Sequence, residues 1–281
     1  MSNSDKHLPG KGKQTPSSLI KRVFQAPDYF TRVDAIKQID EQEILIMVAR
    51  QDSDYYVRQS AVEKITDQAV LQEIAATDTD YYVRLAAVKR IDNQKILAGI
   101  VLENQSDYYI CKDAINNIHD NDTLASLLEG LTDRDIKSAV VQKITNQEIL
   151  ASIACCNSDF YVRSDALKKV TDQDLLARIA KNDSDYYVRA LAVQQLKDNE
   201  VIKDIALNDT DFYVRCQAVA RISDSDLLKM IIVKDDDFDV RKRALANIRD
   251  PKVLMKLQEE LSDAFILRKI KSLLDNMQSI P

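Results

Sequence analysis

An aspartate returns at positions 28, 54, 80, 107, 133, 159, 185, 211, 237 and 263, spaced by 26 residues throughout except for one gap of 27 between Asp80 and Asp107. Ten units in register cover nearly everything after residue 16. A period of this length marks a repeat architecture, in which each unit is one small element stacked on the next. The fullest form runs from Ser53 to Asp78, as S/T-D-Y-Y-V-R-x-x-A-V-x-x-I-x-D-x-x-x-L-x-x-I-A-x-x-D. After the aspartate, Val57, Ala61, Val62 and Ile65 lie on one face of a helix, and the face recurs as Val83, Ala87, Val88 and Ile91. Asp54 precedes the first turn and is placed to cap it. A second cap falls in mid-unit, at Asp67, Asn93, Asp120, Asn146, Asp172, Asp198, Asp224 and Asp250. Pro251 follows the last of these as a first-turn proline should. The second helix has a smaller apolar face, such as Leu71, Ile74 and Ala75. Two helices this short cannot bury their own stripe, so neighbours must cover it. The expected fold is all-α: a solenoid of about ten two-helix repeats.

Composition agrees with that reading. With 45% apolar and 30% charged residues the chain is of a folded, soluble type, and its net charge is -6. Four glycines, five prolines and no tryptophan leave little material for the turns of a sheet-rich enzyme. The longest apolar run, Ile44 to Ala49, is too short for a bilayer. Residues 1–16 hold two of the glycines and two of the prolines outside any repeat register, and are expected to be a disordered polar tail ahead of a single solenoid domain, 17–281. That opening stretch has no apolar signal core, and Cys111, Cys155, Cys156 and Cys216 show no framework spacing. Reduced thiols in the cytoplasm are expected.

The pattern D-x-x-V-R-x-x-A-V-x-x-I resembles HEAT repeats of the short bacterial kind, with some similarity to the leucine-rich repeat variant. The resemblance spans roughly residues 17–275. It implies an armadillo-like helical scaffold, and it admits other uses: HEAT-like units also occur in accessory lyase subunits and in DNA-repair glycosylases. The leucine-rich repeat variant carries an iron–sulfur cluster on clustered cysteines, which this chain lacks. Glycosylases of this kind present aromatic residues, commonly tryptophan, to a lesion, and here there is none.

Three rows of side chains stand out. Arg32, Arg58, Arg84, Arg163, Arg189, Arg215 and Arg241 sit four residues after the capping Asp and six after an acid or amide in most units. As a ladder each guanidinium would bridge carboxylates of its own or the adjacent turn; the resemblance to HEAT repeats supports this turn-stapling role over an anion-binding row. Cys111, Lys137 and Leu267 break the column, and around the first two fall Gly99, Gly130 and the extra residue near Asn104 and Gln105. A bend, a site or drift would each account for that stretch, 99–137.

The second row is aromatic: Tyr55/Tyr56, Tyr81/Tyr82, Tyr108/Tyr109, Phe160/Tyr161, Tyr186/Tyr187 and Phe212/Tyr213. The first ring of each pair suits a staple over the turn. The second, Tyr56, Tyr82, Tyr109, Tyr161, Tyr187 and Tyr213, lies nearer the exposed face and suits peptide recognition. The third row is basic: Lys64, Arg90, Lys143, Lys169 and Arg221, interrupted by Asn116, Asn117, Gln194 and Gln195. By resemblance it would line a concave surface, either as ordinary solvated charge or as a contact for an acidic partner or a phosphate backbone.

Catalytic constellations are missing. His7 and His119 are the only histidines, and the adjacent Cys155–Cys156 has no C-x-x-C partner. The reading is therefore a scaffold without enzymatic activity, cofactor or metal, binding another macromolecule, first of all a protein, on the concave face. A nucleic-acid binder or repair enzyme using the basic row is the alternative, disfavoured by net charge. An accessory lyase subunit is a further one.

Overall fold

The computed structural model describes residues 16–278; the expected tail lies outside them except for Pro16, which opens the first helix. The described residues form twenty α-helices and no strand. They fall into two compact units that meet at Lys143 and Ile144. The first unit holds α1 (Pro16–Gln25), α2 (Tyr29–Ile36), α3 (Gln42–Gln51), α4 (Tyr55–Val62) and α5 (Gln68–Thr77). It continues with α6 (Tyr81–Arg90), α7 (Gln94–Glu103), α8 (Tyr108–Asn117), α9 (Asn121–Gly130) and α10 (Arg134–Lys143). The second unit opens with α11 (Gln147–Cys156), α12 (Phe160–Leu167), α13 (Gln173–Asn182), α14 (Tyr186–Gln195) and α15 (Asn199–Asn208). It closes with α16 (Phe212–Val219), α17 (Ser225–Lys234), α18 (Phe238–Asn247), α19 (Pro251–Glu260) and α20 (Ala264–Gln278).

Each unit is an α-solenoid of stacked helix pairs, but the pairs are phased half a repeat away from the sequence reading. The tightest packing joins α3 to α4, α5 to α6 and α13 to α14, across the Asp-x-Asp turn, rather than α4 to α5. At Asp52-Ser53-Asp54 the chain reverses within three residues and the flanking helices pack on each other. The links after the even-numbered helices, such as Ile91 to Asn93, are often as short, but they step up to the next pair. Within each unit the even-numbered helices also pack on one another more closely than the odd-numbered ones do.

Both sets of caps hold these short helices. Asp54 Oδ1 accepts from the Tyr56 amide at 2.9 Å, and Asp67 Oδ1 accepts from Ala69 and Val70 at 2.9 and 3.2 Å. Such a cap stabilises a helix by about 1 kcal/mol, a large share for eight to ten residues. The predicted stripes are the core: Val57, Ala61, Val62, Ile65 and Leu71 are fully buried. Full burial of a side chain of the Val, Leu or Ile class contributes about 1.5–3 kcal/mol. At Gly99 a methyl group would meet nothing within 4 Å, whereas at Gly130 it would approach Leu102 Cδ2 to 2.8 Å, where the C-terminal ends of α7 and α9 come together. Among the described residues no helix is long and apolar enough to cross a membrane.

Candidate functional site

The arginine column lies inside the stack. Arg58 donates through Nε and Nη2 to both carboxylate oxygens of Asp78 in the next turn, at 2.8 and 2.9 Å, and through Nη1 to the Asp52 carbonyl of its own turn at 3.0 Å. The same fork recurs as Arg32–Asp52, Arg163–Asp183, Arg189–Asp209 and Arg215–Asp235. Of the two turns that the sequence offered, the carboxylate comes from the adjacent one, and the arginine's own turn contributes backbone carbonyls. Each acid also accepts the amide of the cap that follows it, as Asp78 does from Asp80 at 2.8 Å. Arg163 and Asp183 side chains are 9% and 6% exposed, so an outside anion has little access to the guanidinium.

Where the acid is absent, the arginine changes partner. Gln105 and Leu131 occupy two of the acid positions, and Leu261 a third. Arg84 then reaches Asp107 with a single contact of 3.4 Å, and Arg241 reaches Asp263 at 3.3 Å while its buried Nε finds no acceptor. In the repeat register the arginine that would face Leu131 is replaced by Cys111, fully buried, its thiol donating to the Asn104 carbonyl at 3.2 Å. Burial, then Asp107 and Asp133, push that thiol up to about 11. One arginine–aspartate pair has become a cysteine–leucine pair with both partners changed together. Gln105 restores a polar link there, donating to the Gly130 carbonyl at 3.2 Å and accepting from the Thr132 amide at 2.8 Å.

In the basic row Arg90 and Arg221 are exposed as expected and Lys64, Lys143 and Lys169 are half-buried, but every one of them is engaged with a backbone carbonyl rather than merely solvated. Lys64 donates to the Ile36, Lys37 and Ile39 carbonyls at the end of α2 and pairs with Asp40 at 2.9 Å. Arg90 reaches the Ile65 carbonyl at 3.3 Å, Lys143 that of Asn116 at 2.7 Å, Lys169 that of Ile144 and Arg221 that of Val193. Two of the supposed interruptions do the same work, Asn117 donating to Val88 and Gln195 to Leu167, and Asn247 further along donates to Val219. What repeats is a hydrogen-bond donor, charged or not, aimed at the open carbonyls where the preceding even-numbered helix ends. A cation there also meets the negative end of the helix dipole. Burial pushes the Lys169 amine below its ordinary value.

This arrangement predicts that Lys169→Met lowers stability by about 1–2 kcal/mol, measured by the urea midpoint, because the carbonyls it serves lose their donor. Lys169→Gln should recover most of that loss, since Gln195 fills the equivalent place. A midpoint unchanged in Lys169→Met would mean that the amine idles in solvent.

A fourth row escaped the sequence reading. Gln42, Gln68, Gln94, Gln147 and Gln173 each open an odd-numbered helix and reach the end of the next repeat's even-numbered one. Gln68 donates to the Arg90 carbonyl at 3.2 Å and accepts from the Asp92 amide at 2.9 Å; Gln94 does likewise with Asn117 and His119. The 26-residue recurrence of glutamine just after the mid-unit cap was the available signal.

The aromatic pairs reach the surface, unevenly. Tyr56, Tyr82 and Tyr109 are 48%, 55% and 66% exposed, and Tyr161 and Tyr187 about 39–40%. In the next pair the order reverses: Phe212 is exposed and Tyr213 half-buried, and Tyr186 is as open as Tyr187. The division of labour between first and second ring therefore does not hold along the whole row. In the first unit the rings join. Phe30 stacks on Tyr29 at 3.9 Å, Tyr29 on Tyr56 at 5.6 Å, Tyr56 on Tyr55 at 4.1 Å, Tyr55 on Tyr82 at 6.1 Å, and Tyr82 meets Tyr81 at 5.4 Å. Three repeats thus share one unbroken run of six rings. Tyr108 and Tyr109 form a separate edge-on pair beyond the inserted residue.

On α10 the ring pair is replaced by Arg134 and Asp135, and Ser138 and Ala139 follow. The missing bulk leaves a groove of about 690 Å³ between α8 and α10, lined by Tyr108, Lys112, Asn116, Asp135, Ser138 and Gln142. Lys112 sits 5.7 Å from the Tyr108 ring centre. Among the described residues no three His, Cys, Asp or Glu side chains are grouped to hold a metal.

No family model and no curated protein matches this chain. Among solved structures it is similar to YibA of Escherichia coli, at 16% identity over 87% of this chain and 98% of that one, with a TM-score of 0.32. It is also similar to the complex of CpcE and CpcF of phycocyanin lyase from a Nostoc species, at 18% identity over 98% and 99% of the chains and a TM-score of 0.25. A designed armadillo repeat protein matches at 14% identity over 92% and 98%, with a TM-score of 0.16. At TM-scores below 0.5 none of these likenesses bears on what the chain binds. The fold rests on its own helix pairs.

Proposed function

We propose that this chain is a scaffold without enzymatic activity that binds another protein along the exposed face of its even-numbered helices. The observation that carries the reading is the run of six rings from Phe30 to Tyr81, with Phe30, Tyr56 and Tyr82 about half exposed or more. Aromatic rings left open to water in a contiguous row offer rigid contact area, and tyrosine adds a hydrogen bond at its tip. Residues of this kind dominate the energetics of protein interfaces. The close packing among even-numbered helices supports an inner, concave position for this face within each unit. The nucleic-acid reading loses its main support, because the cations that would track phosphates are engaged with backbone carbonyls. The accessory-lyase reading has a neighbour's name to draw on and no residue of this chain.

The test is retention of proteins from native lysate on the immobilised chain, after nuclease treatment, for wild type and for Tyr56→Ala/Tyr82→Ala. A set retained by wild type and lost by the variant, at matching thermal midpoints, is expected. Retention abolished by nuclease, or equal in both chains, would overturn the reading.

A further inference from the structure

We propose that the six-ring run on α2, α4 and α6 is a track for a proline-rich peptide in the polyproline II conformation that carries basic residues. This deepens the protein-binding reading above and rests on it.

The first argument is one of period. A polyproline II helix has three residues per turn and rises about 3.1 Å per residue, so it presents the same face about every 9 Å. Packed helices stand about 8–10 Å apart, so successive even-numbered helices present their ring pairs at nearly that interval. One turn of the peptide therefore meets one repeat. Every third residue can lie on a ring pair along all three repeats, because the small difference between the two periods adds over only two steps. An extended β-strand, at about 3.3 Å per residue and two residues per side-chain period, would drift out of register.

The second argument is surface chemistry. Flat aromatic rings with hydroxyl tips are what proline-rich ligands dock on, because the peptide is already ordered and loses little entropy on binding. The rings here are held in advance by one another. They are anchored at helix N-termini by Asp28, Asp54 and Asp80, each of which uses Oδ1 to cap its own helix.

The third argument is charge. A carboxylate, Asp28, Asp54 or Asp80, stands immediately before every ring pair on the track. A guanidinium over a ring is already present at one end of the track, where Arg84 lies 5.9 Å from the Tyr81 ring centre; a hydrogen bond with Tyr56 and burial, ahead of the charge of Asp80, push the Tyr55 phenol up to about 12. Burial, then Asp107 and Asp113, raise Tyr81 as well. An arginine or lysine in the peptide would find both a ring face and a carboxylate. The track ends where the 27-residue gap inserts Gln105, since the Tyr108–Tyr109 pair is not joined to it. Its length is thus three peptide turns.

The experiment titrates the full chain into a fluorescein-labelled peptide of four Pro-Pro-Arg triplets, at about 0.15 M salt. Gly-Gly-Arg and Pro-Pro-Glu counterparts are run beside it. The expected result is that the Pro-Pro-Arg peptide binds about tenfold or more tighter than either counterpart. Tyr56→Ala/Tyr82→Ala should weaken that binding about tenfold at an unchanged thermal midpoint. Tyr161→Ala/Tyr187→Ala, in the other unit, should leave it intact. Equal binding of the Gly-Gly-Arg peptide would reduce the effect to charge and overturn the inference. So would equal binding of Pro-Pro-Glu, equal sensitivity to the two tyrosine pairs, or no binding by any peptide. Those outcomes leave the broader reading standing if the tyrosine variant still loses proteins in the lysate experiment. Failure of both experiments removes both.

Discussion

Arg163→Ala is expected to destabilise the second unit by about 3–5 kcal/mol, because removing one partner of a buried ion pair leaves the other charged and unpaired. Asp183 is 6% exposed and would lose both donors of the fork, at 2.8 and 2.9 Å, while the Asn157 carbonyl loses its own at 2.9 Å. The loss should be local, since a repeat touches only its neighbours: hydrogen exchange should quicken first in α12, α13 and α14. The chain itself suggests the rescue. Cys111, in repeat register with Leu131, shows that the position accepts an apolar pair when both sides change. Arg163→Cys/Asp183→Leu should therefore recover more than half of the stability that Arg163→Ala loses. If the double variant were the less stable of the two, the fork would hold the stack by a strength that an apolar pair cannot replace. If Arg163→Ala left stability untouched yet abolished partner binding, the column would be a binding site after all.

Asp78→Asn should cost a comparable amount at neutral pH, and its penalty should vanish in acid. Burial raises the Asp78 carboxyl, but the hydrogen bonds from Arg58 and from the Asp80 amide, with the charges of Arg58 and Arg84, outweigh it and hold the group below its ordinary 3.8. A carboxyl depressed in the folded state binds fewer protons there than in the unfolded chain. Its stabilisation is therefore complete above the unfolded value and is lost as pH falls through the folded one. Asp28, Asp120 and Asp263, which cap helices, are lowered in the same direction, chiefly by hydrogen bonds from Thr31, Thr123 and the Ile266 amide respectively. The urea midpoint of the wild type should stay level above about pH 5 and fall steadily below it. The gap between wild type and Asp78→Asn should close over the same range. A gap that persisted at pH 2 would mean that the amide fails sterically rather than by lost charge.

Much of this molecule is legible from one line of text. The 26-residue recurrence of aspartate, with Val57, Ala61, Val62 and Ile65 behind one of its members, is enough for the helices, their caps and the buried face. Those are local properties: a cap and a stripe depend on residues within a turn or two, and the repeat states them ten times. The arginine column was legible in position, because its partners obey the same period.

Which groups would be left free was not legible. Lys64 and Lys143 look like surface charge on a helical wheel, and only the stacking of one even-numbered helix on the last brings the open carbonyls of Ile36 and Asn116 within reach. Asn117 and Gln195 looked like interruptions of a charged row because the shared property is donation, which a list of charges cannot reveal. The phase of the helix pairs likewise was not legible, because the links Asp78 to Asp80 and Ile91 to Asn93 are equally short and only packing decides which joins a pair. The joining of Tyr29 to Tyr56 and of Tyr55 to Tyr82 depends on the offset between adjacent helices, a distance set by the side chains packed between them. Local sequence determined the units; the spacing between units, fixed by packing, decided which of their side chains hold the stack together and which are left for a partner.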